Sequence, residues 1–292
     1  MTGSLKTIDA NGVSFACIEQ GTGPLLLCLH GFPDHAPTFR PIMPALADAG
    51  YRVVAPYMRG YRPTVAPEGG PYQAAALGLD VAALIEALSP DEPACVFGHD
   101  WGAIAAYAAA LAAPQRVRRL VVSSVPYGPQ FLGALVTRPD QIRRSFYIWF
   151  FQLPIAEAAV VANDFAFIRE LWREWSPGWE LPEADWQALR ASFAQPGVVE
   201  AALAYYRHMF NPALQLPELA ELQQKIFIAP IEVPTLILHG ERDGCIAVDL
   251  LDGMEAAFPR GLEKHIVRDA GHFPHAEKPA EVVDAIRRFL TH

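Results

Sequence analysis

Short, continuous apolar runs alternate with stretches of helical apolar spacing from the start of the chain to about Pro126, and the same alternation resumes at Pro234. Ser4 to Asp9 and Val13 to Glu19 predict two strands around the turn Ala10-Asn11-Gly12, an antiparallel opening suited to the edge of a mixed sheet. Pro24 to His30, Arg52 to Pro56, Ala94 to Phe97 and Val117 to Val122 are apolar runs of the kind buried in a parallel sheet. Between them, Thr38 to Ala49, Tyr72 to Leu88 and Ala103 to Ala112 carry helical spacing, the first stopping at Gly50. Pro234 to Gly240 and Lys264 to Val267 predict two further strands. Strand and helix in alternation imply an α/β fold with a mostly parallel, doubly wound sheet.

Between these two regions the rhythm breaks: roughly a hundred residues show helical spacing, several prolines and no convincing strand. Five of the six tryptophans, Trp149, Trp172, Trp175, Trp179 and Trp186, fall inside the break. A helical, aromatic insertion between two sheet strands predicts a cap over the active-site end, with an apolar chamber between cap and sheet. For any single tryptophan, a place in the cap core is the stronger expectation. The 292 residues fit one large core with such an insertion, divided as 1–126 and 233–292 for the core and 127–232 for the cap.

Candidate chemistry begins at Val96-Phe97-Gly98-His99-Asp100-Trp101-Gly102-Ala103, where strand meets helix with no loop between. In a nucleophile elbow two glycines permit the sharp turn and the middle residue stands exposed at a helix N-terminus. Here that residue is Asp100. A carboxylate at a helix N-terminus is favoured as the anion, so it can attack without a base to deprotonate it. Taken alone, an Asp N-cap between two glycines explains the motif equally well. His30-Gly31-Phe32-Pro33-Asp34, ending another strand, could hold the Phe32 N–H over a cavity or be an ordinary loop, with His30 as its anchor rather than a catalytic base. Gly240-Glu241-Arg242-Asp243 and Ala270-Gly271-His272-Phe273-Pro274 both follow strands, where strand ends open onto a ligand crevice. Asp100, Asp243 and His272 therefore stand in the order nucleophile, acid, histidine that accompanies the elbow. Together they outweigh the bland reading of each. His272 and His275 lack a third ligand at metal-site spacing, so no metal is expected. Glu241, Arg242 and His275 read as structural and His99 as a strand-end residue.

Composition narrows the partners. A formal charge of −9, with Arg116-Val117-Arg118-Arg119 as the densest basic cluster and that leading into a strand, argues against nucleic acid. The N-terminus lacks an apolar signal region and no apolar run is long enough to cross a bilayer, so a soluble, cytoplasmic protein is expected. Cys17, Cys28, Cys95 and Cys245 lie far apart in apolar surroundings and read as reduced core residues.

With these residues in hand, the chain resembles the epoxide hydrolases of the α/β-hydrolase fold over essentially its whole length. His30-Gly31-Phe32-Pro33 is similar to that family's oxyanion-loop motif, Gly98-His99-Asp100-Trp101-Gly102 to its aspartate elbow, and Gly240-Glu241-Arg242-Asp243 and Gly271-His272 to its acid and base loops. In the cap, Tyr147-Ile148-Trp149-Phe150-Phe151-Gln152-Leu153-Pro154 resembles the Tyr-x-x-x-Phe-Gln-x-Pro segment and Ala204-Tyr205-Tyr206-Arg207 the Asn-Tyr-Tyr-Arg or Asn-Trp-Tyr-Arg segment. The resemblance implies that Tyr147 and Tyr206 donate to an epoxide oxygen; without it Tyr205 is nearly as good a choice. Two departures stand out. Tyr57-Met58-Arg59-Gly60-Tyr61-Arg62 replaces a common Asp-x-Arg-Gly-Tyr-Gly, and Ala204 replaces Asn.

The implied reaction is attack by Asp100 on an apolar aryl or alkyl epoxide, then hydrolysis of the enzyme ester by water that His272, oriented by Asp243, deprotonates. The N–H groups of Phe32 and Trp101 would form the oxyanion hole. Phe32, Trp101 and Trp149 are the expected substrate-binding residues. The partners are an epoxide and water, with no metal or cofactor and no membrane; a homodimer is compatible with the sequence. A haloalkane dehalogenase would share Asp100, Asp243 and His272 but need a second halide donor besides Trp101, with Trp149 as candidate. A non-catalytic module binding an apolar ligand is the third reading.

Overall fold

The computed structural model describes residues 4–291. An eight-stranded sheet organises them: β1 (Ser4–Ala10), β2 (Val13–Gln20), β3 (Leu25–Leu29), β4 (Arg52–Pro56), β5 (Ala94–His99), β6 (Val117–Ser123), β7 (Thr235–Gly240) and β8 (Leu262–Val267). Their spatial order is β1-β2-β4-β3-β5-β6-β7-β8. The β1–β2 and β2–β4 pairs are antiparallel and all others parallel, which is the mixed sheet with an antiparallel opening that the pattern predicts. The opening turn uses Asn11 and Gly12 at φ 49° and 71°, the left-handed pair that a tight hairpin requires.

Strands β3, β5 and β7 are buried along their whole length, as continuous Leu, Val, Ile and Cys runs demand when helices cover both faces. Helix Trp101–Ala112 is buried from Trp101 to Ala110. Its alanines and Gly102 allow it to lie close against the sheet and against helix Ala74–Leu88.

One predicted helix is different. Thr38 to Ala49 is not continuous: a 3-10 turn at Ala36–Phe39 is followed by a short helix at Met43–Asp48. Pro41 and Pro44 lie inside the apolar pattern, and a proline has no N–H to continue a helical ladder.

Between β6 and β7 every regular element is helical: Pro129–Thr137, Pro139–Arg144, Phe146–Phe150, Ala156–Trp175, Glu183–Phe193, Val198–Phe210 and Ala220–Lys225, besides two short 3-10 turns. Ala156–Trp175 is broken at 162–165, where Asn163, Asp164 and Phe165 have positive φ. This helical layer contacts the carboxyl ends of the sheet through buried aromatic side chains that belong to the same core as β3 and β5. Among the described residues no helix is long and apolar enough to cross a membrane.

Candidate active site

Asp100 sits at the turn from β5 into helix Trp101–Ala112 with φ 51° and ψ −120°, a sparsely populated backbone region that persists only when its surroundings hold it. Gly102 is what permits the turn, because a Cβ there would overlap the carbonyl of Leu29 on the neighbouring strand. Asp100 as a whole is 5% exposed. Its Oδ1 accepts a 2.7 Å hydrogen bond from the Phe32 N–H. A Cβ on Gly31 would overlap Asp100 Oδ1 and stand 2.6 Å from the Trp101 N, so Gly31 lets the Phe32 loop lie close against the turn at Asp100. His30 holds that loop: its Nε2 accepts from Met58 N at 3.0 Å and its Nδ1 lies 3.0 Å from Gly31 O.

His272 and Asp243 reach the same point from the loops after β8 and β7. The His272 Nδ1–H donates to Asp243 Oδ2 at 2.8 Å, and Asp243 Oδ1 accepts from the N–H groups of Cys245 and Ile246 at 2.7 and 2.8 Å. Burial opposes charge on Asp243, yet the neighbouring His272 and the other donors hold its carboxyl below the usual range. On the far side of the ring, Nε2 faces Asp100 Oδ2 at 3.6 Å and has no hydrogen-bond partner. Burial disfavours the imidazolium, but the carboxylates of Asp243 and Asp100 outweigh it and push His272 up to about 10.

The base loop is clamped by residues that carry no local sequence signal for this role. His272 N donates to Trp175 O at 3.0 Å, and Gly244 N donates to the same carbonyl at 3.0 Å. The His272 carbonyl accepts from His99 Nε2 and Ser124 Oγ, both at 2.8 Å. His99, read from sequence as a strand-end residue, thus holds the backbone of His272. One cap residue, Trp175, ties the acid and base loops together through its backbone.

The two adjacent tyrosines separate clearly. Tyr205 OH donates to Arg59 O at 2.7 Å. Tyr206 lines the cavity above Asp100 together with Tyr147 and Trp101, and its hydroxyl is buried without a partner. The Tyr147 and Tyr206 rings lie 5.6 Å apart and nearly perpendicular. Burial, followed by nearby negative charge, raises both phenols well above their ordinary range, so both are protonated donors at neutral pH. Tyr147 OH lies 3.4 Å from Cys245 Sγ. Cys245 is buried and free like the other three cysteines, but it borders the reacting groups rather than a remote core.

Two expected substrate contacts are placed differently. Trp149 does not line the cavity; its ring packs 4.9 Å from Phe210, because it faces away from Tyr147 and Ile148 on the short helix they share. Phe32 contributes its N–H, while its ring lies behind the tyrosines, fully buried among Phe151, Phe193, Trp175 and Tyr206. The departures Arg62 and Ala204 both line a surface groove that does not include Asp100.

Two buried groups of ligating residue types occur among the described residues, Asp243 with Cys245 and His272, and Asp34 with His99 and His275. In the first, acid and base are already bonded to each other. The second lies on the flank of the base loop, where His99 holds the His272 carbonyl.

The chain is similar to known proteins over most of its length. Residues 24–279 match the alpha/beta hydrolase fold family. The AB hydrolase superfamily protein YfhM of Bacillus subtilis is 32% identical, covering 97% of this chain and 96% of its own. An epoxide hydrolase of Caballeronia sordidicola is 32% identical, covering 99% and 95%. A mutant epoxide hydrolase from Bacillus megaterium, solved with its product, a naphthyloxy-propane-diol, superposes with a TM-score of 0.84 at 28% identity, covering 98% of this chain and 100% of that one.

Proposed function

The chain belongs to the α/β hydrolase fold family and to the epoxide hydrolases within it, and from that premise we propose that Asp100 opens an apolar epoxide by covalent attack, with His272 and water completing a vicinal diol. The observation that carries this reading is that Asp100, Tyr147 and Tyr206 line one cavity while His272 Nε2 waits 3.6 Å behind the carboxylate. Asp100 Oδ1 is engaged by the Phe32 N–H, which leaves Oδ2 as the attacking atom. A carboxylate suits an sp3 carbon, since the product is an ester whose carbonyl can be hydrolysed; a serine would give an ether.

As the new C–O bond forms, the ring C–O bond breaks and its oxygen takes a phenol proton from Tyr147 or Tyr206. Esterification removes the charge of Asp100, one of the two carboxylates that hold His272 protonated. Its pKa falls, and the proton it releases restores the phenol. Neutral His272 then takes a proton from water, and the hydroxide adds to the ester carbon with the oxyanion held at the Phe32 and Trp101 N–H groups. Collapse breaks the ester C–O bond and expels the second diol oxygen as an alkoxide, which takes the proton of the carboxylic acid just formed and leaves the Asp100 carboxylate and the imidazolium. The sum is epoxide plus water to diol.

The helical run over 127–232 serves as the cap. Four buried free thiols suit a reducing cytoplasm, and the dehalogenase alternative loses its candidate second donor because Trp149 packs on Phe210. Diol formation from styrene oxide, set beside Asp100→Ala and halide release from 1-bromobutane, tests the reading. Diol from the wild type alone is expected; halide without diol would overturn it.

A further inference from the structure

The two flanks of the reacting centre are built differently. Beyond Asp100 and the phenols, one flank is a cavity walled by Ile104, Val125, Phe131, Leu135, Ile148 and Met209. Its volume is about 30 Å³, room for a water or two. Of its walls Met209 is half-buried and the others are buried. Met209 is unbranched, and such a side chain adapts readily to what enters.

The opposite flank is solid. Phe32, Phe151, Trp175 and Phe193 are each at most 1% exposed. Phe32 packs 5.3 Å from Phe151 and 6.0 Å from Phe193, and Trp175 packs 4.8 Å from Tyr147 and 5.0 Å from His272. These rings are also locked from behind. The Trp175 carbonyl holds the acid and base loops, and Trp172 Nε1 donates to Pro33 O at 2.8 Å, fixing the loop that carries Phe32. Opening this flank would disturb the parts that align Asp243 and His272, whereas opening the other displaces the half-buried Met209 and its neighbours, which make none of those contacts.

Resting on the epoxide reading above, we infer that the site has a single arm: it takes terminal epoxides whose one apolar substituent lies along Ile104, Phe131, Leu135 and Met209, and rejects trans-1,2-disubstituted epoxides, with Trp175 and Phe193 as the residues that close the second side. In a terminal epoxide one ring carbon bears only hydrogens and fits against the aromatic wall. A second phenyl group has to enter a close-packed interior, where added volume strains both sides.

The experiment compares kcat/KM for styrene oxide and trans-stilbene oxide in the wild type and in Phe193→Ala. The wild type is expected to favour styrene oxide by about 100-fold or more, and the variant to reduce that preference by about 10-fold. If Phe193→Ala does not fold, Trp175→Leu serves, since the backbone carbonyl at that position is unaffected by the side chain. Comparable rates on both substrates in the wild type would overturn the single arm and leave the epoxide reading standing. An unmoved preference in a folded variant would overturn the role of these rings. No diol from either substrate would overturn the epoxide reading, and this inference with it.

Discussion

The Nε2 atom of His272 lies 3.6 Å from Asp100 Oδ2, close enough for ion pairing and too far for a hydrogen bond. In the proposed reaction this nitrogen activates the hydrolytic water after Asp100 becomes an ester. His272 there acts after ring opening, first restoring the phenol and then activating water. His272→Gln is therefore expected to alkylate and then stall, with turnover lower by about 100-fold or more. Intact mass after exposure to styrene oxide should show one substrate added, and Asp100→Ala should show none. An unmodified His272→Gln chain would count against Asp100 as nucleophile.

The same pairing makes stability depend on pH. In the folded chain His272 is raised to about 10 from an ordinary 6.5, so the folded state binds the proton more tightly than the unfolded one. The stabilisation is complete below pH 6.5 and is lost as pH rises towards about 10. From about pH 6.5 to about 7.5, below the range in which free thiols ionise, the wild-type Tm should fall. Asp100→Asn removes one of the two carboxylates responsible and should fall less. Parallel pH profiles for the two proteins would show that Asp100 does not hold the imidazolium.

Ring opening needs protonated phenols, and burial keeps Tyr147 and Tyr206 protonated. Each Tyr→Phe exchange is expected to slow alkylation by about 100-fold, the scale of losing one oxyanion donor, and the double exchange to abolish it. Hydrolysis of ester already formed should be unchanged. Tyr205→Phe is expected to lose much less, because its hydroxyl faces the Arg59 carbonyl and bears on the site only through the helix it moors. Stopped-flow measurement of the alkylation phase distinguishes them; a loss at Tyr205 equal to that at Tyr206 would show that the effect is structural.

How far the sequence reaches is clearest in these residues. The strands and elbow are legible because continuous apolar runs bounded by glycine have few alternatives in a parallel sheet, and Asp100, Asp243 and His272 each follow one directly. Thr38 to Ala49 misleads because its apolar spacing is helical while Pro41 and Pro44 interrupt the ladder. Tyr205 and Tyr206 are chemically identical neighbours, and only the position of the Arg59 carbonyl turns one away from the site. The five cap tryptophans look alike along the chain. Trp175 matters through its backbone carbonyl, which periodicity does not report, and Trp149 is withdrawn by Phe210 from far along the chain. Cys245 meets Tyr147 across 98 positions, with no local sign of the contact.

The loop after β4 shows how the core supports the cap. Arg59 Nε and Nη2 donate to Asp80 at 2.7 and 2.5 Å, Asn11 Nδ2 donates to the same carboxylate at 2.7 Å, and all of Arg59 but 3% is buried. The Arg59 carbonyl then accepts from Tyr205, so helix Val198–Phe210, which carries Tyr206, is moored to this ion pair. Asp80→Ala leaves a buried guanidinium without its partner and should cost about 3–5 kcal/mol in denaturant unfolding. In the part that remains folded, alkylation should slow more than ester hydrolysis, because the displaced mooring bears on Tyr206 and not on His272. Replacing Arg59 and Asp80 together by Met and Leu should recover much of the stability, since no charge is then left unpaired. A double variant as unstable as Asp80→Ala would show that the Asn11 and Tyr205 contacts, rather than the buried charge, carry the loss.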